Sequence, residues 1–360
     1  MNFLGDVPTY EMSKIMKKVK MIFYVILLSL VVAGNVYAQS EVNDIGAYNE
    51  WGRLREVFIG IEDDTVEPDY VPALVWLPGD GVAGVKKYGG KSSRDVFPEG
   101  MKSIQEQLDG IADVLETEGV IVHRLKPMAY PEEKSFLSDI QRGNMLFGGA
   151  GFLRVIGNNV LLMNSFRLPF RRKQVWVVRP ALEPLLKGKN VRYCATPPPS
   201  PYYSEDDIYI ENGDIMLDGF NVYVGMSGNA SNERGADWLQ QFLGPDYKVY
   251  IIRLKPEKFH LDWVLSLNRP GLLTYCPDAI LGELPEPLRS WDKIIVNADE
   301  VAGANNLSID ENTILVPEQY ERIAKEYRDR GMKVITLPFD ATIQYGSGPR
   351  CLTGVLRRDH

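Results

Sequence analysis

Residues 214–256, "DIMLDGFNVYVGMSGNASNERGADWLQQFLGPDYKVYIIRLKP", contain one complete supersecondary unit. Two β-rich runs flank Asp218-Gly219, a dipeptide typical of tight hairpin turns. The segment "NERGADWLQQFL" is helix-like, and Gly244 is placed to end the helix. "YKVYIIRLKP" then predicts a third strand. The unit is therefore strand, turn, strand, helix, strand.

The same order recurs along the chain. "FLRVIGNNVLLMN" predicts a second hairpin, and "RPALEPLLKGK" before "NVRYCATPPP" predicts a helix and strand. A helix from Met101 ends at Gly119 before "VIVHRLKP", and "EQYERIAKEYRDRG" precedes "MKVITLPF". "KIIVNADEVAGANNLSIDENTILVP" predicts a strand pair with a longer loop, and "LREVFIG" a partial copy.

This recurrence, at intervals of about sixty to eighty residues, predicts a quasi-symmetric α/β assembly that is either stacked or closed around an axis. In a closed ring, loops from several units can meet at the centre. A plain α/β sheet whose elements happen to recur is the alternative. No linker is long enough to require two independent domains.

The composition is that of a globular protein. Of 360 residues, 45% are apolar and 24% charged, and the formal net charge is −8. Basic residues cluster only near the N-terminus, which argues against nucleic acid as a partner. A negative net charge favours small cationic ligands, although it does not identify one.

The N-terminus has the features of a signal peptide. "KIMKKVKMIFYVILLSLVVAGNVYAQS" has lysines, an apolar run and small residues ending at Ala38, which predicts cleavage there. Residues 1–38 would then be a targeting segment, and 39–360 one catalytic domain without a stable membrane span. The expected location is exported, periplasmic or secreted. Without cleavage the protein would be cytoplasmic or membrane-anchored, and Met16 is a second candidate start.

Near the C-terminus, "QYGSGPRCLTGVLRRDH" places Gly346, Gly348 and Pro349 just before Cys351. Such residues let a backbone turn sharply and pass close to another group. The chain has three cysteines, so at least one thiol is free or pairs with another chain. Cys351 is thus a candidate nucleophile, with ordinary strand packing as the alternative.

His260 is the candidate general acid and base. It stands in "KFHLDWVLSL", where alternate residues of an extended segment, His260 and Asp262, would face one side. A surface histidine at the start of a strand is the alternative. His123 lies within an apolar strand and His360 is the last residue, so both are weaker candidates.

Asp214 is the second candidate carboxylate. It follows Asn212-Gly213 and opens a β-like run in "YIENGDIMLDGFNVYVG", where it could face a ligand or serve as a turn residue. A cysteine and a histidine together can attack an electrophilic carbon and protonate a leaving group. Carboxylates beside them would favour a cation such as a guanidinium, whose planar donors match carboxylates.

Several site types lack a sequence signature. The cysteines are far apart and the histidine has no histidine partner, so no metal site is predicted. No phosphate or dinucleotide fingerprint and no serine-hydrolase elbow is found, so no cofactor is expected.

Five segments together resemble the amidinotransferase branch of the guanidino-modifying enzymes (the pentein superfamily), which includes glycine and inosamine-phosphate amidinotransferases. They are "NEWGRLREVFIG", "FLRVIGNNVLL" with "FRLPFRR", "ENGDIMLDGFNVYVGMSGNASNERGADWL", "FHLDWVLSLNRPGLL" and "GSGPRCLTGVLRRD". The resemblance extends from Asn49 to Asp359.

The resemblance implies a five-bladed α/β propeller with pseudo-fivefold symmetry. It also implies that Cys351 is the nucleophile and His260 the general acid and base, with Asp214 and Asp262 gripping the guanidinium. Amidino transfer from a donor such as arginine, through an amidino-cysteine, to an acceptor amine would follow. The expected partners are small molecules, and a homodimer is compatible with the sequence.

One departure from the family pattern is local. The family commonly has an Arg-Asp pair before its "VIGN" segment, with the Asp in the active site, and here Gly149, Ala150 and Gly151 occupy that stretch. Two alternatives therefore stay open. One is an arginine deiminase-like hydrolase, and the other a non-catalytic, exported guanidino-binding protein.

Overall fold

The computed structural model describes residues 44–63, 65–77, 79–126, 141–201 and 203–360. Ile45–His360 form one compact unit. The predicted signal segment, residues 1–38, lies outside the described residues and stays a prediction. None of the helices in the described ranges has the length and apolar character that a bilayer crossing requires.

Fifteen strands in the described part of the chain form five three-stranded sheets. The strands are β1 (Leu54–Ile59), β2 (Ile121–Arg124), β3 (Leu153–Ile156), β4 (Asn159–Leu162), β5 (Arg192–Ala195), β6 (Ile215–Asp218), β7 (Asn221–Met226), β8 (Lys248–Arg253), β9 (Leu265–Arg269), β10 (Leu272–Tyr275), β11 (Asp292–Ile295), β12 (Leu307–Asp310), β13 (Thr313–Pro317), β14 (Lys333–Leu337) and β15 (Thr353–Arg358). The sheet orders are β15-β1-β2, β3-β4-β5, β6-β7-β8, β9-β10-β11 and β12-β13-β14.

The α-helices of the described ranges follow the second strand of a unit or connect units. They are α1 (Gly81–Tyr88), α2 (Ser93–Val96), α3 (Pro98–Thr117), α4 (Pro169–Arg172), α5 (Val175–Leu186), α6 (Glu233–Leu243), α7 (Glu286–Arg289), α8 (Glu321–Asp329) and α9 (Asp340–Gln344).

The unit predicted from residues 214–256 is present. β6 and β7 pair antiparallel, with Asp218 opposite Asn221 across the turn, and β7 pairs parallel with β8. The helix between them begins after Asn232, whose side chain accepts a hydrogen bond from the amide of Gly235. Local signals therefore determine the bounds of this unit.

The first sheet joins the two ends of the described chain. β1 pairs antiparallel with β15 and parallel with β2, so the segment "LREVFIG" receives its hairpin partner from the C-terminus. α3 covers this sheet with the apolar face predicted from Met101 onward, including Ile104, Leu108 and Leu115. The terminal strand also brings the Cys351 loop next to the first unit.

Three details differ from the sequence prediction. "KIIV" does not pair with "NTILVP"; β11 joins the preceding sheet beside β10, and β12 pairs with β13. The hairpin of β9 and β10 was not predicted. The first strands begin at Leu153, Ile215, Leu265, Leu307 and Thr353, closer together than predicted after the second unit. The helix of the β9 unit, α7, is a single turn, which accounts for the shortest of these intervals.

Short 3₁₀ turns precede the first strands and contact one another. Gly149–Phe152 contacts Asn212–Asp214, which contacts Leu261–Trp263, which in turn contacts Ala298–Ala304. The starts of successive units therefore converge on a common centre. This convergence determines which side chains meet there.

Candidate active site

The candidate site is a cavity of about 1090 Å³ at this centre. Cys351, His260 and Asp262, all predicted from the sequence, line the same cavity. Cys351 lies just before β15, and His260 and Asp262 both lie just before β9. Asp214, the fourth predicted residue, does not line the cavity.

Cys351 lies between two polar side chains. Asn305 donates a hydrogen bond from Nδ2 to the Cys351 sulfur (3.0 Å), and the thiol donates to Oδ2 of Asp262 (3.4 Å). Burial and the negative charge of Asp262 raise the pKa of the Cys351 thiol. The three cysteines of the chain all lie in the described ranges and all are free, so no disulfide blocks this sulfur.

The terminal loop reaches its place by close approach to Asn305. A Cβ on Gly348 would lie 2.7 Å from Oδ1 of Asn305. That oxygen accepts a hydrogen bond from the backbone amide of Arg350 at 3.0 Å. Glycine at 348 is needed because any side chain would displace this contact, and with it Cys351.

His260 is held by a carboxylate that the sequence analysis did not select. Its Nε2 donates to Oε2 of Glu211 at 3.0 Å. Burial lowers the pKa of His260, but the bond to Glu211 and the charges of Asp214, Glu211 and Asp262 raise it above its ordinary value overall. His260 is therefore suited to carry a proton near neutral pH.

Asp214 acts on His260 through its charge. Its carboxylate is fully buried and accepts hydrogen bonds from the amides of Ser231 (3.1 Å) and Leu261 (3.0 Å). Burial raises the pKa of Asp214 to about 6. The geometry favours a positioning role, since both oxygens are already engaged by backbone amides.

Asp262 has one engaged and one free carboxylate oxygen. Oδ2 accepts from Arg350 Nη1 (2.9 Å) and from the Cys351 thiol, whereas Oδ1 has no hydrogen-bond partner among the described residues although it is buried. A buried carboxylate oxygen without a donor is costly, so this oxygen is suited to accept from a ligand N–H group.

Arg350 connects Asp262 to a buried acid. Its guanidinium also contacts Glu50 (3.2 Å), which pairs with Arg154 at 2.5 Å. Burial raises the pKa of Glu50, but the two arginines lower it more, to about 2. These alternating charges hold the Asp262 carboxylate in place.

Arg171 lies next to Gly151, in the stretch where the sequence departs from the family pattern. Arg171 lines the cavity and pairs with Oε2 of Glu211 at 2.6 Å. A Cβ built on Gly151 would collide with Arg171 Nη2. A cation of the protein itself therefore lies beside the position where the family pattern has its Asp.

Gly213 supplies a test of the His260 position. A Cβ at this residue would lie 2.5 Å from Nδ1 of His260, so Gly213→Ala must move the imidazole. We expect turnover to fall about 100-fold, because small misplacements of reacting groups have effects of that size. Steady-state kinetics and thermal unfolding of the variant provide the measurement.

The matched control is Gly110→Ala in helix α3, where an added Cβ meets nothing within 4 Å. It should keep full activity and gain about 0.5–1 kcal/mol from helix propensity. Equal activity of Gly213→Ala and Gly110→Ala would contradict a reacting role for His260.

Glu211, Asn305, Arg350 and Arg171 were missed by the sequence analysis. The first three stand within a few residues of a first strand, as Cys351 does, so position relative to the repeated unit is the signal that could have found them. Arg171 lies in "FRLPFRR", one of the segments that carry the resemblance, but nothing in the sequence distinguishes it from Arg167 or Arg172. Within the described ranges, no group of three or more metal-ligating side chains could hold an ion.

The five sheets built on one plan and the convergent centre define the class as a pentein-type α/β propeller. An amidinotransferase of Microseira wollei from the saxitoxin pathway has this fold; it superposes with a TM-score of 0.75 at 24% identity, covering 88% of this chain and 98% of the other. The predicted fold class is confirmed.

Two curated relatives agree with the solved structure. L-arginine:L-lysine amidinotransferase of Pseudomonas savastanoi pv. phaseolicola is 24% identical, covering 88% of this chain and 95% of its own length. Mitochondrial glycine amidinotransferase of Danio rerio is 23% identical, covering 87% and 82%. No family profile matches the sequence. The predicted resemblance to amidinotransferases and the predicted enzyme class are confirmed, and amidino transfer is the activity these relatives support.

Proposed function

We propose that the protein transfers an amidino group from a guanidino donor, with arginine as the first candidate, to an acceptor amine through a covalent amidino intermediate on Cys351. The observation that carries this proposal is the shared cavity, which Cys351, Asp262 and His260 all line. Glu211, outside the lining, holds the His260 ring by a hydrogen bond. The arginine-using relative supports arginine as the donor.

The donor guanidinium would bind first at the carboxylates. Its N–H groups match the free oxygen of Asp262, and its charge offsets the negative charge that raises the pKa of the neighbouring thiol. Binding of the cation therefore favours loss of the Cys351 proton to solvent. The thiolate forms where the electrophilic carbon lies.

In the first half-reaction, the thiolate attacks the guanidinium carbon and forms a C–S bond. Protonated His260 gives its proton to the departing nitrogen, the C–N bond breaks, and ornithine leaves if arginine is the donor. In the second half-reaction, an acceptor amine attacks the amidino carbon, neutral His260 takes its proton, and the C–S bond breaks. The cycle restores the thiolate.

Intact-mass spectrometry after incubation with arginine, without an acceptor and with an acid quench, tests the proposal. We expect the mass to increase by one amidino group (CH₂N₂), located on the peptide that contains Cys351, with release of ornithine. Citrulline formed without an amine would instead indicate the hydrolase. Binding of arginine with neither adduct nor product would indicate the binding protein.

A further inference from the structure

The cavity is larger and more apolar than a guanidinium requires. Above the reacting groups, its walls form what we call the apolar chamber, lined by Leu74, Trp76, Leu77, Val85, Phe97 and Phe259. Phe97 is 37% exposed even though it is a large hydrophobic residue. Exposed apolar surface inside a cavity of this size is typical of a binding site for an apolar ligand.

An aromatic stack connects the apolar chamber to the reacting groups. The rings of Trp76 and Phe259 are parallel, with centroids 4.0 Å apart, and the ring of Phe259 lies 3.8 Å from that of His260. The apolar surface therefore extends to the imidazole that handles the proton of the acceptor.

Some of the charged residues that line the cavity are exposed to solvent, and others, such as Glu67 and Asp262, are buried. Asp80, Lys87 and Glu99 line the cavity and are exposed to solvent. The cavity therefore combines exposed charges, the apolar chamber and the buried reacting groups. A small polar amine would leave the chamber walls in contact with water, whereas an apolar body would displace that water.

The chamber is an addition to the repeated unit. In the β6 unit, only residues 227–232 separate the second strand from its helix, whereas residues 60–97 separate β1 from α3. This longer segment contains the Pro72–Leu74 turn and α1. The turn and α1 provide Leu74 and Val85, and Trp76 and Leu77 lie just after the turn. Leu74 and Val85 are buried in a small cluster against which Trp76, Leu77 and Phe259 pack, so the segment forms an apolar wall of the cavity.

We infer that the acceptor is a primary amine attached to an apolar alkyl or aryl body of several carbons, and not a small polar amino acid. This inference rests on the proposed amidino transfer and names the substrate class of its second half. The apolar body binds in the apolar chamber, and the amine lies beside His260 and the amidino carbon on Cys351.

The experiment separates the two half-reactions. The enzyme is first loaded with arginine, free arginine is removed, and loss of the Cys351 adduct is followed by mass after adding ethylamine, butylamine, hexylamine or glycine. At subsaturating concentrations, we expect the unloading rate to rise about fourfold per added CH₂ along the alkyl series, with glycine among the slow acceptors.

Variants then locate the effect. Trp76→Ala and, independently, Phe97→Ser should each flatten the dependence on alkyl length, lowering the hexylamine rate about tenfold or more, and reduce loading by arginine far less. Phe220→Ala, a truncation of an exposed aromatic on the β6–β7 turn, is the matched control and should leave both half-reactions unchanged.

The outcomes are distinguishable. Failure to load Cys351 contradicts the proposed function itself. Loading followed by equal unloading with ethylamine and hexylamine, faster unloading with glycine, or an alkyl preference that survives both chamber variants overturns the inference and leaves amidino transfer standing.

Discussion

Cys351→Ser should lose at least about 10⁴-fold in turnover, because the reaction proposed here passes through a covalent bond to sulfur. A serine hydroxyl is a far weaker acid than a thiol, so the loss of a proton to solvent that would activate Cys351 would not ionise it. The chain should still fold, since oxygen replaces sulfur at a half-buried site.

Binding should survive in the same variant. The free oxygen of Asp262 is retained, so arginine should still raise the unfolding temperature of Cys351→Ser in a concentration-dependent way. Mass spectrometry should detect no adduct. Cys194→Ser is the matched control, because Cys194 is half-buried on β5 and does not line the cavity. Activity in Cys351→Ser comparable to that control would exclude the covalent mechanism.

The repeated unit was predictable because its signals are local. Asp218-Gly219 fixes a hairpin, and the apolar spacing from Met101 fixes a helix, whatever the rest of the chain does. The pairing of β11 with β10 was not predictable, because a parallel partner is chosen by packing across the chain. "KIIV" has the composition of a strand, but no local feature indicates which strand it pairs with.

The site was predictable to the extent that chemistry identifies a residue type. A scarce cysteine and histidine drew attention to Cys351 and His260, and "HLD" drew attention to Asp262. The extended segment predicted there is wrong, because Leu261–Trp263 is a 3₁₀ turn. The sequence favoured Asp214 over Glu211, because Asp214 follows Asn212-Gly213 and opens a β-like run. The two acids differ in their partners: Glu211 bonds to the His260 ring, whereas backbone amides occupy both oxygens of Asp214.

Glu211→Gln should lower turnover by about 10²–10⁴-fold, the size of effect typical of disturbed acid–base catalysis. Burial raises the pKa of Glu211, but Arg171 and His260 lower it overall, so the residue is an ionised partner for the imidazole. Glutamine keeps the shape of the side chain and removes its charge. The charged form of His260 then loses a stabilising neighbour.

The pH dependence of Cys351 loading should shift in a defined direction in this variant. The pKa of His260 lies above its ordinary value partly because of Glu211, so the pKa should fall in Glu211→Gln. The first half-reaction needs protonated His260, and its alkaline limb should therefore move to lower pH. Loading of Cys351, measured by quenched mass spectrometry across pH, reports this step separately from the acceptor. Glu233→Gln, which alters an exposed glutamate on α6, should leave the limb in place. If the limb of Glu211→Gln stays where it is in the unmodified enzyme, His260 is not the group that protonates the departing amine.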